Sequence, residues 1–421
     1  MKHWSLKSNK RTTTKLDTPN QAHARKTMIT LHKIPLLLPG STQGFQHIDL
    51  AADHSGPAAW SVSSYTLRGG LQEGVDVVEL DNGKLRLAVL PTRGMGIWKG
   101  QCGDVSLAWD SPVKRPVNPA FINQQDRGGL GWLKGFNEWF VRCGLNSVGA
   151  PGMDTVLNNS GQAVDVPLNL HGNIANTPAH AVELEVTDSA IIVRGEVDET
   201  MLFGPALRLQ TEIRTEFGSG ALTVTDTVTN LGDNPVEHQL LYHINYGAPL
   251  LEKGSRIVAP FKQVAPRDAR SAEGIEQFDR FDAPQVGFVE QAYYYELAGQ
   301  RGSRDTMALL RNAAGSQGSL LRFSLKDFPC FTLWKNTAGL ADGYVTGLEP
   351  ATSYPNARRF EREKGRVPSL AGGQSRSTVM TIETLDTKTA IRQAEADIKK
   401  LQKAAKARVH TNPIGNLSDI S

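Results

Sequence analysis

The chain has 421 residues, with 46 Lys and Arg against 43 Asp and Glu and a formal net charge of +3. It therefore lacks the concentrated positive field that binding a nucleic acid backbone requires. No apolar run approaches the roughly 18 to 20 residues that cross a bilayer, so neither nucleic acid nor a membrane is an expected partner. The three cysteines, Cys102, Cys143 and Cys330, form no C-x-x-C pair and no zinc-binding spacing, and they read as reduced, buried residues of a cytoplasmic protein.

Residues 1–27 are basic, rich in Ser and Thr and poor in acids. That composition overlaps with transit peptides but shows no clear amphipathic stripe. The expectation is a disordered extension, with the ordered protein opening at Met28. From about Asp76 the periodicity is that of strands: VDVVELDNGKLRLAVLP alternates apolar and polar residues on both sides of an Asp-Asn-Gly turn, a strong hairpin signal. Similar runs recur at AVELEVTDSAIIVRGEV, LRLQTEIRTEF, ALTVTDTVTNLGDNPVEHQLLYHINYG, LLRFSLKDFPCFTLWKN and STVMTIETL. The 40 glycines and 22 prolines fall mainly between such runs, as the turns of a sandwich require. These features predict an all-β domain over residues 28–387, without tandem repeats or a linker that would divide it. Only over Lys388–Val409 does the period become helical, with Ile391, Ala394, Ile398, Leu401 and Ala405 on one face. An amphipathic helix over 388–410 that caps the body is expected, followed by a flexible tail over 411–421.

Six stretches, in chain order, carry candidate chemistry. Arg93 in LPTRGMGIWKG follows a strand in a Gly-rich turn, but neither dinucleotide nor P-loop spacing is present there. Arg142 in GFNEWFVRCGLN is a guanidinium among aromatic residues, suited either to an ion pair or to ligand oxygens. Together the two arginines leave room for an acidic ligand. His171 precedes Gly172 in NLHGN, where the glycine permits close approach to the ring; bonding to its own loop is the alternative. His243 and Asn245 in HQLLYHINYG leave the same face of one strand, and two polar groups there are costly to bury unless a partner satisfies them. A ligand rich in hydroxyls qualifies, as does ordinary core hydrogen bonding. Glu290 and Gln291 in GFVEQAYYYELAG combine hydroxyl-binding groups with flat apolar rings, though edge residues of this kind are often merely solvated. Finally, Glu349 in GLEPATSYPNA ends an apolar run before a proline that stiffens the next bond, so its carboxylate is held in one direction, as a base should be.

Taken together, these residues resemble the aldose 1-epimerase (galactose mutarotase-like) superfamily, and in particular its DUF4432 branch. The resemblance spans roughly Asp76 to Leu385 and is strongest at LEPATSYPNA with LAGGQSRSTVMTIET, which stand where the family has a Leu-Glu-(Thr/Pro)-Gln-x-x-Pro-Asp segment and a final turn and strand. It implies a β-supersandwich that binds a sugar across one sheet. It implies Glu349 as catalytic base and His171, of a His-Gly element, near the sugar ring oxygen. The family's strand histidine is written H-x-Y-F-N; aligning its asparagine on Asn245 puts Leu241 at the histidine position and His243 two residues later on the same face. A sugar-holding Asp-His pair of the family falls on Glu290 and Gln291, and its sugar-binding arginine on Arg142.

The resemblance implies mutarotation: Glu349 takes the anomeric O1 proton while protonated His243, or His171, gives one to the ring oxygen, with no metal or cofactor. Two other readings stay open. One is a non-catalytic carbohydrate-binding protein; the other is a sugar isomerase or epimerase acting at another carbon through metal held by His171, His243, Glu290 and Glu349. The expected partner in every case is a small sugar, acidic sugars included. The sequence leaves the oligomeric state open.

Overall fold

Alternation along a strand sends successive side chains to opposite faces, and the strands of this protein use it to build two large sheets around one core, beside two small two-stranded ones. The computed structural model describes residues 29–52 and 59–420; the extension expected over 1–27 and its boundary at Met28 lie outside them. In Ala221–Asn230, for example, Leu222, Val224 and Val228 point inward and are buried, while the intervening threonines lie partly exposed on the other face. This strand belongs to a nine-stranded sheet running from Thr30–Leu37 at one edge to Arg256–Val258 at the other. A second sheet has thirteen strands. Its middle is the sequence of neighbours Gly96–Cys102, Phe140–Leu145, Gln239–Tyr246, Val345–Ala351, Cys330–Asn336 and Gln291–Leu297. The expected hairpin forms in this sheet, with Asp76–Asp81 paired to Leu85–Leu90 around Asn82 and Gly83. Val78, Leu87, Ile97, Tyr242 and Leu348 of the larger sheet pack with Leu184, Val193, Leu209 and Met380 of the smaller one in a single apolar cluster. The all-β supersandwich expected from the sequence is the fold observed.

The central strands of the larger sheet depart from simple alternation of burial. Phe140–Leu145, Gln239–Tyr246 and Val345–Ala351 are buried at every position. Their inner face meets the core. Their outer face is covered by connecting segments, whose Trp132, Phe136, Val148 and Ala175 pack on Val141, Cys143, Leu241 and Ala351. The middle of the outer face is thus a closed chamber filled by packed side chains.

At the C-terminus the helix spans Lys388–Gln402, capped at its start by the Thr387 side chain, which accepts from the Ala390 N–H. Ile391, Ala394 and Ile398 dock on Leu309, Leu320 and Leu385. The helix is shorter than its periodicity suggests, because Arg408–Val409 turns into a short parallel partner of Phe261–Pro266. The 411–421 segment, expected as a flexible tail, is packed over its described residues: Leu417 joins a cluster with Tyr294 and Tyr354, and the Ser418 hydroxyl donates to the Pro266 carbonyl. A few isolated apolar residues suffice for that docking, too few to leave a periodic signal. None of the described helices is long and apolar enough to cross a membrane.

Candidate active site

Antiparallel pairing brings the two strongest sequence candidates face to face. Leu241 pairs with Ala351 and Asn245 with Gly347, so the register sets His243 opposite Glu349. Both side chains emerge on the outer face, and His243 Nε2 lies 3.3 Å from Glu349 Oε1. Had the histidine stood at position 241, it would lie opposite Ala351, some 6 to 7 Å further along the strand. The two-residue displacement in the sequence is therefore what places an imidazole in register with the carboxyl.

The hydrogen bonds around His243 define its tautomer. Asn245 donates its amide N–H groups to the carbonyls of Glu138 and His243, which leaves Oδ1 as an acceptor 2.5 Å from His243 Nδ1. An amide oxygen only accepts, so Nδ1 carries the hydrogen. In the neutral ring Nε2 then turns its lone pair toward Glu349. His171, held in the left-handed region at φ 59° beside Gly172, donates from Nδ1 to the Val148 carbonyl at 2.7 Å. Its ring centroid is 5.5 Å from that of His243 and 4.6 Å from that of Trp132. Gly172 is needed for packing as well: a Cβ there would come within 2.2 Å of the Ser147 carbonyl oxygen.

Electrostatically the chamber opposes charge. His243 is 4 % exposed and Glu349 2 %. Burial pushes the Glu349 carboxyl up to about 8, with the neighbouring Glu290 carboxylate adding to the effect and Arg267 opposing it. Burial likewise holds the His243 imidazole down near 3, helped by His171, and His171 itself near 4. Both shifts favour the neutral forms, a protonated Glu349 carboxyl beside a neutral His243 imidazole. The expectation of a carboxylate base and a protonated imidazole is reversed in the free site, because an ion pair here would lose its hydration.

Other sequence candidates divide by strand parity. Arg142 pairs with Tyr242 in the register and so faces inward, away from His243. It is a buried ion-pair partner of Asp226, at 2.5 Å from Nε, and also bonds the Met95 carbonyl and the Thr211 hydroxyl. Gln291 also points inward, with Tyr293 and the Arg270 carbonyl as partners. Arg93 is fully buried and bonds Glu138, Asn176 and the Val117 carbonyl. None of these three reaches the chamber. Arg93 instead bonds the Glu138 side chain, and the backbone carbonyl of Glu138 receives Asn245. Glu290 does lie at the rim, where it accepts from the Trp334 indole N–H at 2.7 Å and from Arg267 at 3.0 Å.

These corrections leave an outer-face group of His171, His243, Asn245, Glu290 and Glu349. Residues 72–384 match the DUF4432 domain, a domain of unknown function. The chain belongs to the DUF4432 family. Its fold matches the crystal structure of a "putative aldose 1-epimerase" from Klebsiella pneumoniae subsp. pneumoniae at 34 % identity and a TM-score of 0.85, covering 91 % of this chain and 99 % of that one. More distant structures share the fold. A galactose mutarotase-like protein from Clostridium acetobutylicum gives 14 % identity and a TM-score of 0.55 over 78 % of this chain and 99 % of its own. Galactose 1-epimerase from Lactobacillus acidophilus gives 11 % and 0.51 over 77 % and 99 %. These likenesses place the DUF4432 chain in the galactose mutarotase-like superfamily. No curated protein sequence matches it.

Within this DUF4432 chamber the structure adds residues that the sequence did not single out. Trp132, Phe136 and Trp334 ring His243, with centroids at 6.2, 5.2 and 5.4 Å. The Trp132 indole N–H and the Thr332 hydroxyl are buried without a partner, and Thr332 lies directly opposite Glu349 in the register. Buried polar atoms are rarely left so, and both suit a hydroxylated ligand. Gly347 is the least visible of the set. A Cβ on it would stand 2.8 Å from the His243 ring and 3.0 Å from Glu349, so its missing side chain is part of the site. Alternation in FTLWKN would have put Trp334 and Thr332 on one face, but only pairing with the Glu349 strand shows which face matters. Arg267 had no such signal. Among the described residues, no group of three or more His, Cys, Asp or Glu side chains is arranged to hold a metal ion.

Proposed function

We propose that this protein interconverts the anomers of an aldose by opening and reclosing its ring, with Glu349 and His243 handling the two protons. The observation that carries the reading is the 3.3 Å approach of His243 Nε2 to Glu349 Oε1 on one sheet face. The reacting sugar oxygens, O1 and the ring oxygen, are both bonded to C1 and so lie close together. An acid and a base held side by side match that spacing.

With the proton on Glu349 and the lone pair on His243 Nε2, the pair contains one donor and one acceptor. Glu349 gives its proton to the ring oxygen as the C1–O5 bond breaks and its electron pair passes to O5. His243 Nε2 takes the O1 proton, and O1 becomes the aldehyde oxygen. Rotation about C1–C2 presents the other carbonyl face; reclosure runs the transfers backward and regenerates both groups. Each assisted proton transfer contributes typically about 10² to 10⁴-fold. In the open-chain state Glu349 is a carboxylate beside a His243 imidazolium, and reclosure returns both to the neutral forms that burial favours. His171 lies beside the pair as a second imidazole, Asn245 holds the tautomer of His243, and Glu290 offers carboxylate oxygens to sugar hydroxyls at the rim. The three free, buried cysteines support a cytoplasmic location.

Exchange NMR between α and β anomers of a panel of aldoses tests this reading. The expected result is faster exchange with wild-type protein and a loss of about 10² to 10⁴-fold in Glu349→Gln, with sugar binding retained. Equal exchange rates for the variant and wild type would remove Glu349 from the chemistry. Binding without any acceleration by wild type would select the non-catalytic carbohydrate-binding reading.

A further inference from the structure

Beyond the aromatic cover, the same outer face of the larger sheet continues into an open cleft of about 710 Å³, within the size range of ligand sites. We propose that this cleft binds a neutral oligosaccharide, so that the protein's ligand extends beyond a single ring. The proposal rests on the sugar-binding reading above but not on catalysis.

Three observations point to that ligand class. Two half-buried tryptophans, Trp98 and Trp109, line the cleft and offer the flat apolar faces on which sugar C–H groups pack. Trp109 is fixed by its indole N–H bond to the Glu138 carbonyl, and Lys99 Nζ lies 4.0 Å from the Trp98 ring centroid. The cleft carries no net charge: Arg86 pairs with Asp81 at 2.6 Å and Lys114 with Asp110 at 2.7 Å, and the remaining two charged lining residues, Glu79 and Lys99, are of opposite sign. That balance offers no cluster of cations for an anionic ligand such as a nucleotide, whereas hydroxyl groups can bond to both members of each pair. Asn137, which lines the cleft and is 4 % exposed, donates its amide N–H to the Val113 carbonyl but leaves Oδ1 without a partner. That atom is an acceptor waiting for an O–H donor.

The cleft also adjoins the chamber, with the Phe136 ring between them. The Trp109 ring is 5.0 Å from Phe136, and Phe136 is 5.2 Å from His243. Trp109 and Asn245 donate to the same Glu138 carbonyl. A sugar unit over Trp109 would therefore be a neighbour of one held at His243.

Titration calorimetry with methyl glycosides tests the proposal independently of turnover, because a locked anomeric carbon cannot exchange. The probes are methyl glucoside, galactoside, mannoside and xyloside, against the methyl glycosides of the matching β-1,4- and α-1,4-linked trisaccharides. At least one trisaccharide should bind about tenfold or more tightly than its monosaccharide, and Trp98→Ala and Gln101→Ala, the latter at an exposed amide that also lines the cleft, should each remove most of that gain. Equal affinity for one and three units throughout the panel would overturn the proposal. So would a trisaccharide gain that survives both substitutions, or ATP binding more tightly than any trisaccharide. Absence of anomer exchange would count only against the catalytic reading.

Discussion

Replacing Glu349 by Gln keeps the volume of the side chain and lets the amide N–H donate to His243 Nε2, while removing the only titration at that position. The consequence for stability follows from the burial of the carboxyl. Its value rises from an ordinary 4.5 to about 8, so between those pH values the folded chain holds a proton that the unfolded chain has released. Stability then falls as pH rises, by about 1.4 kcal/mol per pH unit and by about 3 to 5 kcal/mol in total at pH 8. His243 and His171 act with the opposite sign. Their folded values are depressed, so their contribution is present above about 6.5 and lost as pH falls toward 3 to 4. Comparing variant with wild type at each pH cancels the histidine contribution. Urea denaturation at pH 6, 7 and 8 should show Glu349→Gln gaining on wild type by about 2 to 3 kcal/mol across that interval. A constant difference would mean that Glu349 is already ionised at pH 6, and the neutral carboxyl–imidazole pair would be wrong.

Gly347→Ala should abolish anomer exchange while preserving the circular dichroism spectrum, since the new methyl has to displace the His243 ring or the Glu349 carboxyl; an active variant would show that the pair tolerates separation. Arg142→Met leaves Asp226 buried and unpaired and should cost about 3 to 5 kcal/mol in chemical denaturation. Unchanged stability with weakened sugar binding would instead return Arg142 to the site. Trp132→Phe keeps the aromatic cover but deletes the unpartnered N–H. If that group meets the sugar, Kd measured by calorimetry should rise by about five- to tenfold, the equivalent of about 1 kcal/mol for one hydrogen bond; an unchanged Kd would rule out that contact.

Much of this molecule was legible in its sequence, for reasons tied to period and turn chemistry. Alternation in ALTVTDTVTN and the Asn82-Gly83 turn define strands and a hairpin without reference to anything distant, and two-residue spacing alone guarantees that His243 and Asn245 share a face. Stiffness before Pro350 likewise follows from the local chain. What local pattern cannot provide is the partner of each face. Arg142 and His243 lie on neighbouring strands and both are buried, yet one register step sends the guanidinium to Asp226 in the core and the imidazole to Glu349. Gly347, Thr332 and Trp334 become site residues only because two hairpin-paired strands bring them beside a histidine roughly a hundred residues away in the chain. The upward push on the Glu349 carboxyl was equally invisible, since it comes first from burial and then from Glu290. Residue types and strand parity were determined by the sequence itself; pairing, burial and therefore charge state were decided by the tertiary structure, because desolvation is a property of everything packed around a group.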